Sequence, residues 1–337
     1  MRKVGNSSLI FDNVYLNASA TVVGPKEILG PLKYYYDCYY NELDCNEESW
    51  EKAEMRLQRD AIELVMEKLK ITDSDVSVIF SGDLNNQIAV SNYVMRNYDI
   101  CHIGMYGACS TSVLSLINGS VFVDSGIQKY VGCLTSSHNS TSERQFRYPT
   151  EYGGQKPDSL TSTVTGSGIG MISINKSDIK ITSATIGKVT DVNLKDPLDL
   201  GRTMAPAAAF TLLEHLKDLE IDPDYYDLIL TGDLSKYGSE IFIKCLETKG
   251  IKLTNYNDCG LLVYDINNQD VYAGGSGCGC CALVLYSYVV KKMKTSELNK
   301  VLVIATGALM NPIMTAQKET IPSIAHAISL ERVMLWI

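Results

Sequence analysis

The sequence predicts an α/β protein of five layers, αβαβα, made of two pseudo-repeated halves. Three observations predict it: the length, an internal repeat, and strands alternating with helices. A chain of 337 residues exceeds most single hydrophobic cores and calls for two domains or one double domain. "ITDSDVSVIFSGDL" (71–84) and "IDPDYYDLILTGDL" (221–234) match in kind over their whole length, as a polar turn, an apolar strand and Gly-Asp-Leu. Three more pairs recur in the same order: "NASATVV" (17–23) with "ITSATIG" (181–187), "GACSTSVLSLI" (107–117) with "GCGCCALVLYS" (277–287), and "KYVGCLTSS" (129–137) with "KVLVIATGA" (300–308). Each match alone is weak; their common order carries the argument.

The halves divide at 1–177 and 178–337. In the first, apolar residues at helical spacing in "MRLQRDAIELVMEKL" (55–69) precede the strand "VSVIF". In the second, "AAAFTLLEHLKDL" (207–219) does the same before "DLILTG". Apolar strands joined by crossover helices form a mostly parallel, buried sheet. Two such halves pack with helices between their sheets. "TGSGIGM" (165–171) is glycine-rich but leads into a strand, so it is a poor dinucleotide motif.

Hydrophobic residues make up 45% and charged residues 20%, an ordinary globular composition. The net charge of −9 argues against a general nucleic-acid or anionic-membrane binder, although a local basic patch stays open. "MRKVGNSSLIFDNVYLN" lacks the apolar core of a signal peptide, and no run reaches the ~18 apolar residues of a membrane span. The expectation is a soluble chain whose membrane attachment is peripheral or through a partner. The ten cysteines then read as free thiols. "GSGCGCC" does not have the paired spacing of a zinc site; Cys278, Cys280 and Cys281 read as small residues closing a helix against a sheet, and no metal or cofactor is expected.

Cys109 stands in "YGACSTSVLSLINGS" (106–120), between small residues and a helical pattern. This stretch, with the double α/β architecture, resembles the thiolase and ketoacyl-synthase superfamily over essentially the whole chain. The resemblance implies a cysteine at the turn into a buried helix, where the helix N-terminus favours a thiolate. A condensing enzyme of that family also needs a His/His or His/Asn pair from the second half. None of the four histidines, His102, His138, His215 and His326, lies between 216 and 325. The family's first histidine position reads "LTGDLSKYGSE", with Asp233, and the second reads "AGGSGCGCCA". Cys109 therefore reads as a pocket cysteine without catalytic partners, and His326 in "IPSIAHAIS" as a candidate to enter that pocket. No catalytic residue is assigned.

A polar insert (about 138–160) follows in "TSSHNSTSERQFRYPTEYGGQKPDSLTSTVTGSG" (135–168), read as a long loop. It carries His138, Asn139, Arg144, Arg147 and Lys156, interleaved with Phe146, Tyr148 and Tyr152. Arginine forks bind carboxylates and aromatic faces cover flat rings; a solvated loop sealing a dimer interface is the competing reading. "TSSHN", "ERQFRYPTEYGGQKP", "TSTVTGSG", "MAPAAA", "NDCGL", "AGGSGC" and "IPSIAH" together resemble the stage V sporulation AD family of endospore-forming bacteria. That resemblance implies a non-catalytic subunit that binds dipicolinic acid (pyridine-2,6-dicarboxylate), possibly with calcium. It implies membrane subunits of a spore dipicolinate channel as partners, a place at the inner forespore membrane, and roles in sporulation and germination. Cys109, His138, Asn139, Arg144, Arg147 and His326 are the candidate ligand-binding residues. Asp83 and Asp233 could assist calcium but read first as caps of the helices that follow them. Superfamily members usually dimerise, so a homodimer is expected.

Two other readings stay open: a ketoacyl-synthase-like condensing enzyme or acyltransferase using Cys109, and a scaffold whose pocket holds nothing.

Overall fold

The computed structural model describes residues 1–127, 129–147 and 155–334. The first half forms β1 (Arg2–Val4), β2 (Ser8–Ile10), β3 (Tyr15–Val23), β4 (Cys38–Tyr39), α1 (Trp50–Leu69), β5 (Val76–Gly82), α2 (Ala89–Met95), β6 (Cys101–Gly104), α3 (Thr111–Asp124), β7 (Tyr130–Ser137), α4 (Asn139–Arg147), β8 (Ser162–Thr163) and β9 (Gly166–Ser173). The second forms β10 (Ile179–Thr185), α5 (Leu200–Leu219), β11 (Leu228–Thr231), α6 (Ser235–Glu247), β12 (Tyr256–Asp258), α7 (Cys259–Val263), β13 (Gly275–Ser276), α8 (Cys278–Leu283), a π-helical continuation Val284–Val289, α9 (Val290–Lys294), β14 (Lys300–Ala308), α10 (Pro312–Ala316) and β15 (Ser323–Arg332).

The strands run β12-β11-β14-β15-β10-β3-β9-β7-β5-β6. At the seam between the halves, β10 meets β3 at the Lys180–Tyr15 pair. On either side, numbering the five main strands of each half in chain order, the order is 3-2-4-5-1. In both halves the fifth strand lies antiparallel between the first and fourth, and the others are parallel. The four repeated sequence pairs occupy equivalent places: β3 and β10, β5 and β11, α3 and α8, β7 and β14.

Helix α1 covers β3 and β9 from outside, and α5 covers β14 and β15. Between the sheets lie α3, touching β5 and β7 on one side and β14 and β15 on the other, and α8, against β7 and β9. These are the five layers. The largest apolar cluster runs through the middle layer, with separate clusters under α1 and α5. Ser49 caps α1 by accepting from Lys52 N, and Ala53, Leu57, Ala61 and Val65 form its buried stripe. Glu54 and Gln58 are buried beside that stripe.

Two expectations need correction. The α5 pattern, cut at 207 by Pro206, begins at Leu200, where Asp199 accepts from Arg202 N. Pro206 is the seventh residue of the helix, where its missing N–H leaves the carbonyl one turn earlier without that partner, yet the helix continues through it. The insert is not a loop throughout: its nine residues Asn139–Arg147 are helix α4. Among the described residues no helix is long and apolar enough to cross a membrane.

Candidate functional site

The turn before α3 is tight and self-bonded. Ala108 has φ +51°, in the left-handed region. Thr111 Oγ1 accepts from Gly107 N and donates to Ala108 O, at 3.0 and 2.6 Å. Gly307 of β14 lies against this turn, so close that a Cβ there would sit 2.4 Å from Gly107 O. The middle-layer packing of β14 on α3 thus presses the second half onto the cysteine turn.

Cys109 is 9% exposed. It borders a small chamber of about 40 Å³ walled by Leu84, Tyr106, Phe146, Leu200, Ala308 and Met310. Leu84, Tyr106, Phe146 and Met310 also border a wider vestibule of about 390 Å³. That vestibule is rich in amides, Asn85, Asn86, Gln87, Gln145 and Asn311, and none of its described lining residues is charged. Gln87 and Ile88 on its wall both take positive φ, +58° and +48°. For the β-branched Ile88 this is a strained conformation, of a kind that concentrates at binding sites.

Asp233, fully buried, stands beside the Cys109 thiol. It also accepts from Thr306 Oγ1 at 2.6 Å and from Gly277 N at 3.0 Å. Burial raises its pKa to about 7 against these hydrogen bonds. Burial first, and the neighbouring Asp233 charge second, push the Cys109 thiol well above its ordinary range. The chamber therefore holds a neutral thiol beside a carboxyl that is itself half-protonated near neutrality. The thiol's raised pKa, above that of Asp233, opposes moving its proton to Asp233. Asp233 does not cap α6; Asp258 does, accepting from Leu234 N and Ser235 N at 2.9 Å each.

A buried polar network backs the vestibule. Glu54 Oε2 accepts from Asn85 Nδ2 at 3.0 Å and from Thr141 Oγ1 at 2.8 Å; its Oε1 accepts from Ser136 Oγ at 2.8 Å. One carboxyl thus ties α4, which carries Gln145 and Phe146, to the 84–88 segment opposite. Asp83 accepts from Asn85 N, Ser91 N and Ser91 Oγ, each at 2.8 Å, and so anchors that segment on α2. Burial, then the Asp83 charge, raises the Glu54 pKa. Sequence reading passed over Glu54; its signal was a glutamate on the same face as α1's apolar residues, with Gln58 one turn on.

Of the six expected ligand residues, Cys109 borders the chamber and the other described side chains are placed elsewhere. His138 is buried, with Nε2 2.8 Å from Leu43 O, Nδ1 accepting from Ser140 N, and its ring beside Trp50. Asn139 donates to Thr163 O and borders a separate polar cleft with Lys26 and Lys156. Arg144 pairs with Glu51 at the surface. Arg147 ends α4; Tyr148 and Tyr152 lie outside the described residues. His326 does not line the chamber: its Nδ1 accepts from Gly187 N at 3.2 Å, and burial lowers its pKa to about 4. The remaining histidines are engaged elsewhere, His102 with Ser81 and His215 with Thr185 and Tyr226. Among the described residues no cluster of three metal-ligating side chains occurs.

Solved structures share this architecture at low identity. Xanthomonas campestris OleA matches with TM-score 0.61 and 10% identity, over 96% of this chain and 99% of that one. The Aquifex aeolicus 3-oxoacyl-[acyl-carrier-protein] synthase III matches with TM-score 0.56 and 12% identity, over 97% and 100%. Human mitochondrial 3-ketoacyl-CoA thiolase matches with TM-score 0.58 and 10% identity, over 98% and 100%. These likenesses establish a thiolase-like fold. At the sequence level, the Stage V sporulation protein AD of Bacillus subtilis (strain 168) is 50% identical over 334 residues, 98% of each chain. The family model for Stage V sporulation protein AD (SpoVAD) matches residues 5–331, and with these matches the chain belongs to the SpoVAD family of sporulation proteins.

Proposed function

We propose that this chain is a non-catalytic binding subunit for dipicolinic acid, acting with membrane subunits in moving that compound into and out of the spore. The observation that carries the non-catalytic reading is Asp233 on Cys109, where a condensing enzyme would need histidine. A neutral thiol beside a buried carboxyl favours contact over covalent chemistry.

The ligand's place follows from size. A chamber of about 40 Å³ has room for little more than one water-sized group, since a water occupies ~30 Å³ of the liquid. The vestibule, at about 390 Å³, falls within the usual range for small-molecule sites. There the flat ring lies against Tyr106 and Phe146, and the carboxylates face amide donors. A lining without charge suits the neutral calcium chelate better than the free dianion, because an unpaired charge loses hydration without compensation. Isothermal titration with dipicolinate, with and without calcium, tests both points. Saturable binding, tighter with calcium, is expected; heat absent under both conditions refutes the reading. A homodimer through the open edge of β6 belongs to the same proposal, and sedimentation equilibrium checks it.

A further inference from the structure

Among the described residues, the most exposed apolar side chains coincide with a local excess of positive charge. Leu29 is 75% exposed and Tyr34 is 82% exposed, in one segment between β3 and β4. That segment is a succession of tight turns: Gly30 N donates to Glu27 O, Lys33 N to Gly30 O, and Tyr35 N to Leu32 O. The turns hold Leu29 and Tyr34 outward while Leu32 and Tyr36 are buried. Two lysines stand against the tyrosines of this segment. Lys33 lies 4.9 Å over the Tyr34 ring. Lys291 on α9 donates to Tyr34 O and Tyr35 O and lies over the Tyr35 ring. Lys292 and Lys294 extend the same helix end, and Lys26 stands at the start of the segment.

Two carboxylates there are already engaged, Asp37 with Lys68 and Glu297 with Lys292. Lys33, Lys291 and Lys294 have no carboxylate partner among the described residues. A chain of net charge −9 therefore carries lysines beside the two most exposed apolar side chains among its described residues.

We propose that this face docks on an anionic lipid surface, with Leu29 and Tyr34 entering the headgroup region and the lysines pairing with lipid phosphates. Each lysine near an anionic surface contributes attraction that salt screens. Tyrosine suits the interface because its ring is apolar and its hydroxyl stays wet. Lysine stems lie along apolar surface while their heads remain at the phosphates. Leu29 and Tyr34 protrude and line none of the described cavities, which suits a yielding lipid surface better than a shaped protein groove. The inference deepens the peripheral placement proposed above and does not depend on which ligand the vestibule takes.

Co-sedimentation with vesicles tests it, using phosphatidylglycerol–phosphatidylcholine mixtures beside phosphatidylcholine alone. Wild type is expected on the anionic vesicles only, and to be released by 0.5 M salt. The double variant Leu29→Asp/Tyr34→Asp and the double variant Lys33→Glu/Lys294→Glu are each expected to lower partitioning at least tenfold. Val189→Asp, a similar change at another exposed apolar position, is expected to leave it unchanged. Circular dichroism and dipicolinate titration of the same variants separate loss of this surface from loss of fold or of the ligand site. Wild type that ignores anionic vesicles overturns the proposal. Binding to anionic vesicles that survives Leu29→Asp/Tyr34→Asp while the lysine changes abolish it overturns the entry of Leu29 and Tyr34 into the headgroup region.

Discussion

Replacing Asp233 by asparagine isolates the carboxyl that stands on Cys109. The unfolded chain titrates an aspartate near 3.8, and burial lifts Asp233 to about 7 in the fold. The folded state therefore holds a proton that the unfolded state has lost between those values. A raised carboxyl contributes its stability fully below the unfolded pKa and loses it as pH climbs through the folded pKa. About three units at 1.36 kcal/mol each give roughly 4 kcal/mol as the most that this residue costs the fold above pH 7, relative to pH 4. The asparagine is an uncharged stand-in for the protonated acid: its one carbonyl oxygen accepts from Gly277 N and its amide faces the Thr306 hydroxyl, which can accept. The variant should match wild type near pH 4 and gain on it steadily up to about pH 7, by up to about 4 kcal/mol. Urea unfolding across that range, followed by fluorescence, measures the difference. If wild type and Asp233→Asn lose stability in parallel as pH rises, Asp233 is not a buried proton carrier and the neutral-pair account of Cys109 fails.

Cys109→Ser keeps a small polar group beside Asp233 and should retain most dipicolinate binding, whereas Cys109→Trp should overfill the chamber, crowd the vestibule and abolish it; calorimetry on both variants decides. A ligand of about 12 heavy atoms at ~0.5 kcal/mol per atom gives roughly −6 kcal/mol, hence a wild-type Kd on the order of tens of micromolar. Incubation with acyl-coenzyme A should leave no stable adduct on Cys109 by mass spectrometry; a saturable thioester there would favour the condensing-enzyme reading. Glu54→Ala should weaken ligand binding tenfold or more by freeing Asn85 and Thr141, and Glu54→Gln should restore much of it while flattening its dependence on pH. Arg144→Ala should leave affinity unchanged and stability within about 0.5 kcal/mol, because Arg144 pairs with Glu51 at the surface.

The five layers and the doubled topology were legible because strand and helix periodicities repeat in the same order in both halves. The cysteine turn was legible because Gly107 and Ala108 are the small residues that such a bend requires. The partners of Cys109 were only half legible. The absence of histidine could be read, but not that Asp233 would turn from its own helix toward the thiol, since Asp258, distant in sequence, takes over the capping of α6. The vestibule was missed because amides carry little sequence signal and reach one another only when α4 packs across the 84–88 segment. The arginines drew attention for the opposite reason. Their chemistry is conspicuous in a sequence, yet the partner of Arg144 lies one helix away on the surface.

The middle helix reaches from one functional face to the other. It begins at Gly277, beside Asp233 and the chamber, and runs through the π-helical stretch to Lys294 in the lysine cluster. Roughly seventeen residues at 1.5 Å each span about 25 Å. With the lysine end resting on lipid, the vestibule stands on the far side of the protein, open to the aqueous compartment. The molecule would then act as a loading station held on a short mast: cargo is captured from solution at the top and cannot pass straight down into the bilayer. If membrane subunits carry the cargo onward, as proposed, their extramembrane portion would rise about the height of this helix to reach the vestibule.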